Sequence, residues 1–457
     1  MNKEVPKNLL KADSMTELRD SLSAKGVKYV LASYVDMHGI SKGKMVPIDH
    51  IDNMMAGSEM FTGAALDGIP QDISDEEVAA HPDPTSCSIL PWQPDVAWFA
   101  SDLWCEDKPF EPCSRNILKR VLAKAQDQGY YLQLGIESEF YVLSETDTGL
   151  EPISERDTLG KPCYDSQMTL HNLHWLDELV EAMNNMGWGV YSFDHEDGNG
   201  QFEIDSDFTD GLGMADRFIL MRMLVNEIAR KHGYFATWMP KPFGNRTGSG
   251  AHFNMSLTDE TGENLFVDSD DTRRCGLSAM GYHFIGGILK HLPAICAVVS
   301  PTVNSYKRMV KQGSMSGSTW APVFICYGNN NRTNTIRIPK SGNRVELRAA
   351  DSSCNPYLAS AMVLAAGLEG IEQKIDPGDP HRDNMYEKSR EELDKLGIRE
   401  LPRTLGEAVN AFAADPLTRE VFGEQMHNAW VEYKRNEWAD YLNHVSDWEM
   451  DRYLRFF

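Results

Sequence analysis

Residues Tyr131–Leu143 read YLQLGIESEFYVL, and their alternation constrains this chain more than any other feature. In extended backbone, successive side chains point to opposite faces. Leu132, Leu134, Ile136, Phe140 and Val142 therefore form an apolar face, while Glu137 and Glu139 project together from the other. The pattern recurs in three further segments. Gln201–Asp205 (QFEID) turns Phe202 and Ile204 one way and Glu203 with Asp205 the other; Ala251–Leu257 (AHFNMSL) separates Phe253, Met255 and Leu257 from His252, Asn254 and Ser256. Arg344–Arg348 (RVELR) buries Val345 and Leu347 and leaves Arg344, Glu346 and Arg348 opposite.

Half-buried strands ordinarily turn polar residues to water, so four separate solvated strands are the plain alternative. In a shared sheet, Glu137, Glu139, Glu203, His252 and Glu346 would line one concave surface, joined by Glu196 from the turn Glu196–Gly200 (EDGNG). Carboxylates gathered that closely must protonate unless cations intervene. Oxygen-rich ligation with one imidazole suits Mg²⁺ or Mn²⁺ better than Zn²⁺. With Arg308, Arg332, Arg337, Arg344 and Arg348 beside them, such cations describe a site for polyphosphate and carboxylate groups.

Charge narrows the partners. The 457 residues carry 44 Lys+Arg against 68 Asp+Glu, a net charge of −24, which repels phosphate backbones and anionic lipid; neither a nucleic acid nor a membrane is expected as a partner. Met1–Leu10 holds no signal-peptide core, so a cytoplasmic location is expected. The eight cysteines form no C-x-x-C pair, against a zinc ribbon or redox motif.

Character shifts near residue 110. Before it, Val27–Asp36 and Lys42–Ile48 read as strands joined at Met37-His38-Gly39-Ile40, and the prolines of Ala56–Asp95 favour extended or looping chain. A small strand-rich unit, 1–110, is expected ahead of a larger one, 111–457. There, helices are predicted after an N-cap at Ser114, around Leu173–Met183, over Leu212–Lys231 and Ser278–His291, and from Asn355-Pro356 to about Leu368. The last fifty residues, with Trp430, Trp438 and Trp448, read as helical and surface-lying.

These segments resemble, in order, the signature of the glutamine synthetase family: IESEF (136–140), HEDGNGQFE (195–203), GSGAHFNMSL (248–257), NSYKR (304–308), NRTNTIRIP (331–339), RVELR (344–348) and NPYL (355–358). The resemblance implies an α+β fold, with a small β-grasp N-terminal domain followed by a catalytic domain whose curved antiparallel sheet is flanked by helices. It implies two or three Mg²⁺ or Mn²⁺ ions per site, one held by Glu139, Glu196 and Glu203 and another by Glu137, His252 and Glu346. Arg308 and Arg348, with Gly248, would hold glutamate beside His252; Arg332, Arg337 and Arg344 would meet ATP phosphates, with Asn254 and Ser256 along the nucleotide. Arg332, Arg348 and Glu346 would be catalytic. Glutamate is activated as γ-glutamyl phosphate and joined to an amine, in a dodecamer of two hexameric rings with sites between subunits.

The chain departs from the family at the acceptor. The Glu that precedes Ala-Pro in glutamine synthetases is Trp320 here, and the Phe-Asp-Gly-Ser-Ser element aligns with Phe61-Thr62-Gly63-Ala64-Ala65. Both ammonium carboxylates are replaced. An indole can cover a methylated ammonium by cation–π contact, and SGSTWAP (316–322) with GNNNR (328–332) resembles the branch containing γ-glutamylmethylamide synthetases, also called type III glutamine synthetases. Methylamine is the expected amine, with ammonium and polyamines as alternatives; from another class, a non-catalytic relative would carry damaged metal ligands. Trp320 could instead pack the reshaped loop. Asp67 is either the replacement base or a turn residue, Tyr386 resembles a modified tyrosine of some relatives, and His171, His174 and His195 read as packing or capping residues.

Overall fold

The computed structural model describes residues 15–147, 149–340 and 343–457. Two sheets organise them. The first contains β1 (Tyr29–Val35), β2 (Ser41–Pro47), β3 (Glu59–Phe61), β4 (Val78–Pro82), β5 (Ser88–Leu90), β6 (Gln93–Cys105) and β7 (Lys108–Pro109), with the order β2-β1-β6-β4-β3 and with β5 and β7 also on β6. The predicted hairpin is present. Asp36 accepts from the backbone N–H groups of His38 and Ile40, each at 2.9 Å. Gly39 at φ +80° closes the turn, where a Cβ would meet Arg222 and the Asn355 backbone at 3.1 Å.

The second sheet comprises β8 (Tyr131–Thr146), β9 (Gly149–Pro152), β10 (Val190–His195), β11 (Gln201–Ser206), β12 (Thr209–Asp210), β13 (Phe235–Thr237), β14 (Ala251–Thr258), β15 (Phe324–Asn329), β16 (Asn334–Ile338) and β17 (Val345–Leu347). Its order is β10-β11-β8-β14-β17-β16-β15, so the four acid-bearing segments do share one sheet. In this second sheet, expected to be antiparallel, one pair departs: β15 runs parallel to β16. In the first sheet β1 runs parallel to β6. Side-chain alternation reports a strand's faces and is blind to its direction.

Helices cover the apolar face. Helix Ser114–Asp127 begins at its expected cap, one residue earlier than predicted: Cys113 holds the N-cap position without a side-chain bond, while the Ser114 hydroxyl reaches the carbonyls of Val35 and Asp36. Helix Gly211–Lys231 is capped by Asp210, and helix Pro356–Glu372 by Asn355, whose side chain accepts from Tyr357 and Leu358 N–H. Helix Ala279–Val299 continues eight residues beyond the predicted end at His291, passing through Pro293. The missing N–H bond there is outweighed by burial of Leu292, Ala294, Ile295 and the residues that follow. By length and hydropathy this helix could span a bilayer, yet 78% of its most apolar window is buried inside the protein. It crosses helix Pro356–Glu372 closely enough that a Cβ on Gly287 would strike the Ala366 carbonyl. Of the C-terminal tryptophans expected at the surface, Trp430 is instead buried in the main core, and Trp448 is exposed as expected.

Candidate functional site: an acidic cavity walled by arginines

Register decides which polar side chains meet. Glu203 lies opposite Glu139 across β11–β8, and Asp194 opposite Glu203 across β10–β11. On the other side of β8, His252 pairs with Glu137; next along, Asn254 and Arg337 both pair with Glu346. Like charges directly opposite destabilise a sheet, so this row needs compensation from outside the backbone. Ligand atoms of Glu139, Glu196 and Glu203 all lie within 4.8 Å of one another, as do those of Glu137, His252 and Glu346. The two trios are the two sets expected from the sequence.

A cavity of about 580 Å³ opens over this row. Glu137, Glu139, Glu196, Glu203, Gly248, His252, Arg308, Trp320, Arg332, Arg337, Arg344 and Arg348 all line it. Asn254 and Ser256 do not; they line an adjoining cavity of about 270 Å³ that shares Glu137, Asp205 and Arg344 with the first. Glu346 is fully buried beneath the floor, ion-paired to both Arg337 and Arg348. A Cβ on Gly250, just ahead of β14, would come within 2.7 Å of the Arg308 guanidinium and the His252 ring, so a larger residue there would displace both side chains.

The charges are unequally balanced. Burial raises Glu139 against the pull of Arg308 and Arg348. Burial also raises Glu196 and Glu203, and repulsion from neighbouring carboxylates adds to it: Glu196 is pushed up to about 8, and Glu203 stands well above the ordinary range. Asp205 rises to about 7, from burial and then from Glu137. Among the described residues, no lysine or arginine forms an ion pair with Glu196 or Glu203. Burial would raise Glu346 too, but Arg348, with Arg337 adding to it, holds it below the ordinary carboxylate value. Burial, then Arg348, pushes His252 far down, which keeps its imidazole neutral as a metal ligand requires.

The donor set fits divalent cations. Three carboxylates face one point and two carboxylates with a neutral imidazole face another, and Asp194 Oδ1 and Asp205 Oδ1 are buried without a hydrogen-bond partner. The arginine wall likewise has spare donors: Arg337 Nε and Arg348 Nε are buried and unpaired, an arrangement suited to anionic oxygens. Arg308, 4% exposed, is held by the carbonyls of Ala349 and Arg348 at 3.3 and 3.1 Å.

Sequence reasoning left Asp194, Asp197, Cys163 and Tyr164 out of the site. Asp194 shares the parity of Ser192 and Glu196, a signal that was available; Cys163 and Tyr164 come from irregular chain. Two of the three histidines have the expected structural contacts: His195 is fully buried and donates to Asp157 Oδ2 and to the Glu196 carbonyl, each at 2.8 Å, and His174 contacts Tyr234 at 3.0 Å. His171 is exposed in the last turn of helix Ser166–His171 and does not line the cavity. The Tyr386 hydroxyl donates to the Ala321 carbonyl, so it braces the acceptor loop. Asp67 is exposed, its nearest basic group being His38 at 3.8 Å, and neither it nor the 61–65 segment lines the cavity of its own chain.

Comparison with known proteins gives a consistent picture. Residues 111–453 match the family described as glutamine synthetase, catalytic domain. A glutamate–methylamine ligase from Methyloversatilis universalis is 42% identical over 445 residues, covering 97% of this chain and 100% of that one. A glutamine synthetase from Rhizobium leguminosarum bv. phaseoli is 40% identical over 433 residues, covering 94% and 97%. The solved structure described as "GmaS/ADP complex-Conformation 1" superposes with a TM-score of 0.90 at 39% identity, covering 96% of this chain and 99% of that one.

Proposed function

The chain belongs to the glutamine synthetase family, and from that premise we propose that it is an ATP-dependent glutamate–amine ligase whose amine is methylamine. The observation that carries the amine is Trp320. Trp320 lines the cavity that holds the carboxylate row and the arginines, where a glutamine synthetase proper would offer a carboxylate. An aromatic face can accept a methylammonium group and cover its methyl, a contact ammonium cannot exploit as well. The printed name of the relative from M. universalis, a glutamate–methylamine ligase, supports the same choice.

On this reading Arg308 and Arg348 hold the carboxylates of glutamate, with Gly248 and His252 beside them. Arg332, Arg337 and Arg344 hold the ATP phosphates, and Asn254 and Ser256 line the nucleotide side. Glu139, Glu196 and Glu203 would hold one Mg²⁺ or Mn²⁺, and Glu137, His252 and Glu346 a second; bound cations neutralise the phosphate oxygens as charge moves during transfer. A γ-carboxylate oxygen of glutamate bonds to the terminal phosphorus while the bond to ADP breaks. The amine nitrogen, its proton lost, then bonds to the γ-carbon and inorganic phosphate leaves. The guanidinium groups orient both anions and exclude water, and such preorganised charge is where most of the acceleration in a site of this kind arises. Units 1–110 and 111–457 would pack into a dodecamer of two hexameric rings in the cytoplasm. The open edge of β2 and the exposed Trp448, Leu454, Phe456 and Phe457 are surfaces such an assembly would cover.

The test is phosphate release from ATP with glutamate, Mg²⁺ or Mn²⁺, and ammonium, methylamine, ethylamine or putrescine. Methylamine should give the highest kcat/KM, and Trp320→Glu should move the preference toward ammonium by about tenfold. Ammonium giving the highest value would overturn the methylamine reading; no turnover with any amine would overturn the ligase.

A further inference from the structure

Behind the indole lies a carboxylate. Asp197 follows Glu196 in the turn between β10 and β11, is 6% exposed, and does not line the cavity. Its Oδ2 accepts from the Trp320 indole N–H at 2.9 Å and from the Ser316 hydroxyl. Two residues of the acceptor loop thus converge on one oxygen of the turn that carries Glu196. The same turn is tied internally, because the Asp197 backbone N–H donates to Glu196 Oε2 at 2.8 Å.

Trp320 needs such an anchor. Its φ is +54°, in the left-handed region that crowds the Cβ of an L-residue and persists only where the surroundings over-determine it. Arg348 Nη2 donates to its carbonyl at 3.1 Å, and Tyr386 holds the next carbonyl, that of Ala321. Those contacts fix the backbone and leave the indole free to turn about its side-chain bonds. Asp197 supplies the fixing contact at the ring. With Trp320 46% exposed, burial alone does not hold the ring.

The geometry points to Asp197 as the positioning residue that sets the face of Trp320 toward the amine, latching the acceptor loop to the turn bearing Glu196. The inference rests on the reading of Trp320 as the wall of the amine pocket. It makes amine selectivity a property of a pair: the indole touches the substrate, and Asp197 acts through it. A charge-assisted N–H···O⁻ bond is about twice as strong as a neutral one and is directional, which suits a carboxylate for holding a ring plane.

A double-mutant cycle tests this, run on the full-length enzyme with whichever amine the wild type uses best. Asp197→Ala should lower kcat/KM about tenfold through the KM of the amine, with the KM values for glutamate and ATP changed less than about twofold. Trp320→Phe, which keeps a ring and removes the N–H, should have an effect of similar size, and the double variant should be no worse than either single one. Asp197→Asn, which retains an acceptor oxygen, should recover part of the loss. Effects that multiply in the double variant, or a loss in Asp197→Ala that appears as a raised Mg²⁺ requirement with the amine KM unchanged, would overturn the latch. If Asp197→Ala does not fold, Asp197→Asn and Ser316→Ala complete the same cycle. Ammonium preferred by the wild type overturns the methylamine reading alone; the cycle still reads the latch, so the two failures are distinguishable.

Discussion

Buried carboxylates gather in two parts of this molecule, and the two are built in opposite ways. At the junction of the sheets, Arg115, 3% exposed, donates to Asp102 at 2.8 Å, to Asp83 at 2.9 Å, and to Asp216 through two bonds at 3.0 and 3.1 Å. The Tyr357 hydroxyl adds a bond to Asp216 at 2.6 Å. Despite its burial, Asp83 lies below its ordinary value because Thr85 and Arg115 bond it, and burial of Arg115 is outweighed by Asp216. Burial keeps Asp216 raised even so. In the cavity, Arg308 and Arg348 oppose the rise of Glu139, but among the described residues no lysine or arginine pairs with Glu196 or Glu203, and burial with neighbouring carboxylates raises both. Internally satisfied charge cements a fold, whereas unsatisfied charge is held in readiness for something that arrives from solution.

The contrast can be broken from either end. The largest effect is expected in the cavity: Glu139→Gln keeps an acceptor for Gln201 and Gly250 but removes a charge, and should lower kcat/KM by roughly 10³-fold. Its metal-free thermal midpoint should be unchanged or higher, because a repulsive neighbour of Glu196 and Glu203 is gone; both are measured on one preparation by phosphate release and thermal melting. At the junction the outcome inverts. Arg115→Met removes the cation shared by Asp83, Asp102 and Asp216, leaving Lys119 on Asp102 alone, and should cost about 3–5 kcal/mol of stability, measured by denaturant unfolding, while the protein that remains folded keeps its KM values.

Acidity sharpens the difference further. In the open chain Glu196 titrates near 4.5, and in the fold near 8. Its protonation therefore favours the fold fully below about 4.5, and that contribution is lost as pH rises through about 8. The rise in melting temperature conferred by saturating Mg²⁺ or Mn²⁺ should accordingly grow across that window, with protons released on binding. A constant increment would mean the acids are already balanced. The smallest effect belongs to Lys119, which meets Asp102 at 2.5 Å with its own side chain 44% exposed. Lys119→Met should cost less than about 1 kcal/mol, since Arg115 still holds Asp102.

Much of the cavity was legible because period-two alternation is a local property. Glu137, Glu139, Glu203 and His252 were identified from which neighbours were apolar, and Glu196 from the turn beside them. Register was not legible: that Glu203 stands opposite Glu139 depends on pairing between segments about sixty residues apart. The parallel run of β15 on β16 was invisible for the same reason. Pro293 reads locally as a stop, yet burial carries the helix through it. Asp197 was missed because its significance lies in a contact 123 residues away. The Arg115 network escaped notice because isolated aspartates at 83, 102 and 216 carry no pattern until the fold assembles them.

Asn355 joins what these regions keep apart. While its Oδ1 caps helix Pro356–Glu372, its Nδ2 donates to the Asp36 carbonyl at 2.8 Å and contacts the Ser114 hydroxyl at 3.0 Å. Peeling the first sheet away would therefore fray the start of a core helix, and fraying that helix would loosen the first sheet. Heating should consequently produce one calorimetric peak rather than two, the smaller half having no private route to the denatured state.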